Sequence, residues 1–317
     1  MTKKVHLFDL PESFIIKLEP EFRINLFKRL LNKIGSKKLA KELGISRSFV
    51  YHLKSGRHSV RLKHLKKLCS LSGTSPYLFE KNLSMLISNR GGRAKLKFPI
   101  TQSPKLASLV GHCFGDASIS QKHEFNYVNK DKKMVKKVEK DVYDLFYSKP
   151  IHFRHQSDGT TKVAFSTLIG DILILFGAPF GTKVLGSVSI PAWIRKGSKE
   201  EKRAFLRALF DDDGSVFYTE KYPSKNVNLH LTRITKKFKN LVTILTQVKE
   251  MLFDFGITAH GPYTARKYQV KNLKRVVMGI LISKSSERCR FHKSVGFSSK
   301  EKNIRLMKCL PTGDRNK

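Results

Sequence analysis

The apolar positions fall into two unlike parts. In residues 22 to 34, FRINLFKRLLNKI, they recur at helical spacing and predict one amphipathic helix. Residues 36 to 73 predict three shorter helices. Leu39, Ala40 and Leu43 line the first, Phe49, Val50 and Leu53 the second, and Leu62, Leu65, Leu68 and Leu71 the third. Ser36 and Ser46 stand where N-caps belong, and Gly44 and Gly56 where helices end. The run SNRGGRAKLKFPITQSP, 88 to 104, breaks the rhythm with paired glycines, prolines and basic residues, and reads as a linker or extended arm.

Beyond it one pattern occurs twice. KLASLVGHCFGDASIS, 105 to 120, and RAFLRALFDDDGSV, 203 to 216, coincide in type when Asp116 is laid on Asp213. Small residues recur at every fourth position: Ala107, Gly111 and Gly115 in one, Ala204 and Ala208 in the other. That spacing puts them on one stripe of a helix, so two such helices can pack closely. Each motif is followed by strand-like and then helical patterning, so both halves predict the order α-β-β-α with further strand and helix after. The fold class expected is α+β: an all-α unit at 1–87, a basic linker at 88–104, and two related halves at 105–198 and 199–317.

Composition adds a partner. Among 317 residues are 62 Lys and Arg against 25 Asp and Glu, a net charge of +37. Such an excess implies a polyanion, and nucleic acid suits it best. No apolar run approaches the roughly 20 residues that span a bilayer, and the N-terminus lacks a signal-peptide core, so a cytoplasmic protein without a membrane partner is expected. Cys69, Cys113, Cys289 and Cys309 form no CxxC and read as small core residues.

The acids are therefore conspicuous. Asp211, Asp212 and Asp213 stand in a row at the end of an apolar helix. Carboxylates there repel one another and meet the negative end of the helix dipole. If the two motif helices pack side by side, Asp116 and Asp213 meet at the foot of the seam. A divalent cation would remove the conflict, and hard carboxylate oxygens suit Mg²⁺ (or Mn²⁺). Asp211 and Asp212 read as neighbours that tune the site or as solvated residues. His112, His152, His155, His260 and His292 show no ligand spacing and read as surface or phosphate contacts.

Two family resemblances follow from these residues. LAxxLGIS with its polar-faced second helix resembles the phage-repressor helix-turn-helix, which implies that Arg47, Ser48, Tyr51 and His52 face base edges or phosphates. The paired motifs, with LFGAPFGTK before IPAWI and FHKSVGFSSKEKNIRL near the end, resemble the single-chain, two-motif LAGLIDADG homing endonucleases. That resemblance implies two αββαββα halves forming a saddle on double-stranded DNA, in a monomer with internal pseudo-twofold symmetry. It also implies Asp116 and Asp213 as metal-binding acids, each serving one strand of a double-strand break, as in intron homing. Lys130 and Lys236 or Lys237 are its candidate catalytic lysines. The chain starts with Met and ends DRNK, and is read as freestanding. Ala117 stands where the family has Gly, which would distort Asp116 and leaves open a DNA-binding regulator that does not cut. An intron-RNA maturase is the third reading.

Overall fold

The computed structural model describes residues 2–88, 92–218 and 225–311. At the N-terminus a helical pattern runs from Pro20 to Leu43, interrupted at Gly35, whose φ of 74° lies in the left-handed region. Ser36 stands just past this break, and its hydroxyl accepts from Arg47 Nε at 3.3 Å. Gly44 closes the helix at φ 65°. Ser46 then caps the helix Arg47–Ser55 by accepting from the Phe49 amide, and Gly56 ends it at φ 79°. The helix Leu62–Ser72 buries Leu62, Leu65 and Leu68. Arg23, buried, ties the bundle together: its Nε and Nη2 donate to the carbonyls of Lys54 and Ser55 at 3.1 and 3.2 Å, at the C-terminus of Arg47–Ser55.

This first unit is not all helix, which corrects the all-α expectation. Ile15–Leu18 is the second strand of a four-stranded sheet, flanked by Val60–Arg61 and by Leu83–Ile87, which in turn pairs with Arg93–Ala94. The described part of the supposed linker is thus built into structure. Arg93–Ala94 closes the sheet, Ile100–Thr101 pairs with Lys4–Val5, and Ala94 and Leu96 are buried. The dense basic residues masked this short alternation. Residues 89–91 lie outside the described residues.

The rest is one architecture built twice. The first half runs helix Pro104–Phe114, strands Ser118–Ile119 and Phe125–Asn129, helix Lys132–Phe146, strands His152–His155 and Thr161–Phe165, helix Thr167–Leu175. The second runs helix Lys199–Asp213, strands Gly214–Phe217 and Asn226–Ile234, helix Phe238–Phe253, strands His260–Val270 and Leu273–Ile282, helix Ser285–Ser294. Each half is αββαββα. In each antiparallel sheet the first strand pairs with the second, the second with the fourth and the fourth with the third. The second sheet has the longer strands: Asn226–Ile234 has 9 residues, where its counterpart Phe125–Asn129 has 5. Shifts of register between His260 and Tyr263 and between Thr264 and Arg266 interrupt its edge, as bulges do.

Alternation divides the faces of these sheets. Phe125, Tyr127, Val163 and Phe165 go into the core of the first; Val227, Leu229, Leu231, Ile280 and Ile282 into that of the second. Arg154 and Lys162 pair across the opposite face of the first sheet, and Arg266 and Arg275 share the opposite face of the second. The surfaces turned from the core are therefore basic. Among the described residues, no helix is long and apolar enough to cross a membrane.

Candidate active site

The two motif helices pack against each other, and their sequences show how. Ser103 caps the first by accepting from the Leu106 amide at 3.3 Å, with Pro104 in its first turn. Ser198 and Glu201 form a reciprocal capping box on the second. At the seam Gly111 is required. A Cβ there would stand 2.7 Å from the Phe205 carbonyl oxygen and 3.0 Å from the Ala208 methyl. Ala107 and Ala208 are buried and Ala204 half-buried on the same stripe. Such closeness places the C-terminal ends of the helices, and the acids on them, together.

Three aspartates of the second helix take three roles. Asp211 is buried, and its Oδ1 accepts from the amides of Ser298 and Ser299 at 2.7 and 3.1 Å. It thereby ties the motif to the start of the helix Lys300–Lys308. The Asp212 side chain is fully buried. Its Oδ2 bonds His112 Nδ1 at 2.9 Å and the Asp116 amide at 3.0 Å, and its Oδ1 accepts from the Tyr127 hydroxyl at 2.9 Å. Of the two readings of Asp211 and Asp212, the solvated one is thus excluded, and the expectation of a surface His112 is corrected, since it is wholly buried. Neither could be read from one strand of sequence, because the partners lie 85 to 100 residues away.

Asp116 and Asp213 are the remaining pair. Asp116 opens on a cavity of about 500 Å³ that is also lined by Asn129, Lys130, Asp212, Lys302 and Arg305. Asn129 Nδ2 donates to its Oδ2 at 3.0 Å and to the Tyr127 hydroxyl at 3.1 Å. The residue surface is exposed, but the protein around the carboxyl strips away part of its water. That desolvation, then the charge of Asp212, pushes its pKa up to about 6. Asp213 is half-buried, and desolvation, followed by the Asp116 charge, pushes it up to about 7.

What offsets so much negative charge is a lysine at each helix end. Lys183 Nζ donates to the carbonyls of Gly115 and Ala117, the latter at 2.8 Å. Lys302 Nζ donates to those of Phe210, Asp211 and Asp212, the first at 3.2 Å. Cations at helix C-termini complement the dipole. Desolvation lowers the pKa of both lysines, while the nearby aspartates act the other way. Arg233, buried at the end of Asn226–Ile234, has Nε and Nη2 without hydrogen-bond partners, and the Asp213 charge acts on it.

The lysines expected from sequence divide: Lys130 is at the cavity, and Lys237 is bonded outside its lining. Lys237 Nζ donates to Ser187 Oγ at 2.9 Å. Lys130 is exposed and lines the cavity. Lys183 and Lys302 were overlooked, although LFGAPFGTK and FSSKEK contain them. Nothing in a chain with 62 basic residues singles them out until the helix ends are seen. Ala117 is also unstrained. It is absent from the residues with positive φ; it is buried, and its amide donates to the His112 carbonyl at 2.8 Å. Its counterpart Gly214 has φ −80°, and glycine is needed there because a Cβ would stand 2.4 Å from the Phe210 carbonyl. The two turns differ, so Ala costs nothing in the first.

Both raised carboxyls make stability depend on pH in a defined direction. A folded-state pKa above the free value of 3.8 contributes stability that is complete below that value. It is lost as pH rises through 6 and 7. The urea midpoint of the metal-free protein is expected to fall between about pH 5 and pH 8, and to fall less in Asp213→Asn. An equal fall in both proteins would contradict the raised Asp213.

On the helix-turn-helix, Arg47, Ser48 and Tyr51 are exposed, and His52 is half-buried and packs edge-on against His58, with ring centroids 5.5 Å apart. Arg47 Nε is engaged with Ser36.

Residues 30–76 match the model of the Cro/C1-type HTH DNA-binding domain, and residues 200–296 that of the LAGLIDADG-like domain. The chain is 25% identical over 210 residues to a tRNA-splicing ligase RtcB of Methanopyrus kandleri, covering 61% of this chain and 20% of that protein. It is 26% identical over 188 residues to a replication factor C small subunit of Methanocaldococcus jannaschii, covering 54% and 10%. It is 23% identical over 306 residues to a glutamine–fructose-6-phosphate aminotransferase of the same organism, covering 92% and 25%. The chain thus spans a quarter or less of the length of these relatives. Solved structures similar to it include mesophilic variants of the homing endonuclease I-DmoI (TM-score 0.40, 15% identity, 61% of this chain and 95% of that one). Another is full-length DUF199/WhiA from Thermatoga maritima (TM-score 0.39, 13% identity, 65% and 60%). The chain joins a Cro/C1-type helix-turn-helix DNA-binding domain to a LAGLIDADG-like domain.

Proposed function

We propose that the protein is a metal-dependent, site-specific endonuclease that cuts both strands of a long DNA site, with its helix-turn-helix lengthening the contact. The observation that supports this most is that Asp116 and Asp213 stand at the ends of two closely packed helices, each raised toward neutrality, with the Asp116 charge acting on Asp213 and Lys183 and Lys302 bonded to the carbonyls there.

The donor set suits a cation shared with substrate. No group of three His, Cys, Asp or Glu that could hold a metal occurs among the described residues. Mg²⁺ commonly takes one or two carboxylates and completes its shell with waters and phosphate oxygens. Asp116 and Asp213 would hold Mg²⁺ or Mn²⁺ together with DNA. When bound, the cation would supply charge neutralisation and an activated water. The residues of the chain do the rest: Asn129 orients the Asp116 carboxyl, and Lys183 and Lys302 keep the helix ends fixed and positive. Lys130 and Lys237 remain candidates for proton handling or phosphate contact through solvent.

The basic outer faces of the two sheets supply the phosphate contacts. Arg47, Ser48, Tyr51 and His52 would contact base edges or phosphates beyond the saddle, with one chain engaging the whole site. Arg47→Ala is expected to weaken binding about ten- to a hundredfold, with loss of base preference in the segment that it reads. Repeating the site selection with that variant checks this; an unchanged consensus and affinity would remove Arg47 from the interface.

A second reading is a regulator that binds without cutting. One observation favours it: Lys183, Lys302 and Arg233 already lie around the acids, so local charge is partly balanced without a metal. Selection decides between the two. Fragments retained from randomised duplex DNA in Ca²⁺ are sequenced and then given Mg²⁺ or Mn²⁺. Cleavage at a fixed place in the recovered site is expected. Retention of one consensus with no cleavage in either metal would leave the regulator.

A further inference from the structure

The two motifs differ at the position before the terminal acid, which is Gly115 in the first and Asp212 in the second. The difference is complementary. A Cβ on Gly115 would stand 2.5 Å from the Asp212 Cβ and 2.6 Å from its Oδ2. The missing side chain of one motif is thus the space filled by the extra carboxylate of the other.

That carboxylate does its work across the seam. Following the first helix, the Gly115 amide bonds the Gly111 carbonyl and the Ala117 amide bonds the His112 carbonyl. The Asp116 amide between them bonds Asp212 Oδ2 instead. A second route reaches the Asp116 side chain: Asp212 Oδ1 accepts from Tyr127, whose hydroxyl accepts from Asn129, which also donates to Asp116 Oδ2. His112 bonds Asp212 Oδ2 and packs edge-on against Tyr127, with ring centroids 5.0 Å apart. Asp213 has no equivalent, because the matching position opposite it is Gly115. Its amide lies inside the helix Lys199–Asp213.

We propose that Asp212 is a positioning residue for Asp116: it crosses the pseudo-twofold seam into the space left by Gly115, so the centre at Asp116 depends on it and the centre at Asp213 does not. A fully buried carboxylate with both oxygens bonded inside the protein is not available to DNA or metal, which separates this role from that of the two outer acids. The proposal rests on the endonuclease reading for its effect on cutting, but its effect on Asp116 stands without it.

The test uses the full chain with Asp212→Ala, Asp212→Asn and Gly115→Ala, checked for cooperative unfolding. Amide hydrogen exchange by NMR reads the position directly. In Asp212→Ala the Asp116 amide is expected to exchange about ten- to a hundredfold faster while the Ala117 amide is unchanged. Unchanged protection of Asp116 would overturn the proposal whether or not the protein cuts DNA. On a supercoiled plasmid carrying the selected site, Asp212→Ala and Gly115→Ala are expected to accumulate nicked circles. The strand assigned to Asp116 should be slowed about a hundredfold and the other by less than about fivefold. Asp212→Asn keeps an acceptor for the Asp116 amide and is expected to restore most of the lost rate. Equal slowing of both strands, or no rescue by Asn, would reduce Asp212 to a general structural role. If wild-type protein binds and never cuts, the endonuclease reading fails, and the exchange result alone decides the proposal.

Discussion

Asp213→Asn and Asp116→Asn are each expected to lower cleavage of one strand by at least about a thousandfold, because the lost charge is the one a cation would bind. Asn keeps the volume and most of the hydrogen bonding, so the fold should survive. A second effect should run the other way. Both carboxyls are held above their ordinary range by desolvation and by neighbouring acids. Removing the Asp213 charge is therefore expected to stabilise the metal-free protein at about pH 8 by roughly 1 kcal/mol, with the partial exposure of the site already discounted. Loss of cutting together with a gain in stability is the mark of a site whose strain serves function. Urea unfolding beside plasmid cleavage checks both parts. A variant that is less stable and equally active would contradict the assignment.

Gly111→Leu is expected to be the most damaging single change to the architecture. The first atom of any side chain at this position already meets the Phe205 carbonyl oxygen at 2.7 Å, which is backbone and cannot rotate away. Gly111→Ala should cost about 1–3 kcal/mol, and Gly111→Leu more than about 3 kcal/mol, through overpacking that forces the helices apart. Because the acids sit at the ends of those helices, the Ala variant should lose cutting out of proportion to its stability. The change in urea midpoint, read beside the cleavage rate of protein that remains folded, measures this. A Leu variant of wild-type stability would mean that the helices do not pack along this stripe.

Much of the fold was readable because the chain says it twice. Small residues four apart, an acid at the end and matching strand-helix order reveal a repeat without any knowledge of contacts. The helix cap at Ser46 and the turn at Gly44 are local signals, and local signals survive in sequence. The network around Asp212 is the opposite case. His112, Tyr127 and Asp212 belong to different elements, and their bonds form only once the two halves are packed. On sequence, His112 is one histidine among eleven, and Asp212 one acid in a row of three. Lys183 and Lys302 were hidden by composition, since a basic chain offers many lysines. What distinguishes them is the carbonyls they cap. Ala117 teaches the reverse lesson: a departure from a motif predicted strain, and the first turn follows another path that Ala fits.

Two metal-dependent cutting centres, at Asp116 and Asp213, are proposed. The most direct measurement is digestion, in Mg²⁺ and in Mn²⁺, of a supercoiled plasmid carrying the selected site, with wild type beside Asp116→Asn, Asp213→Asn and the double variant. Linear product from wild type, nicked circles from each single variant on opposite strands, and intact plasmid from the double variant are the expected results. Linear product that persists in the double variant would place the chemistry elsewhere, and tight binding without any product from wild type would make this chain a DNA-binding regulator.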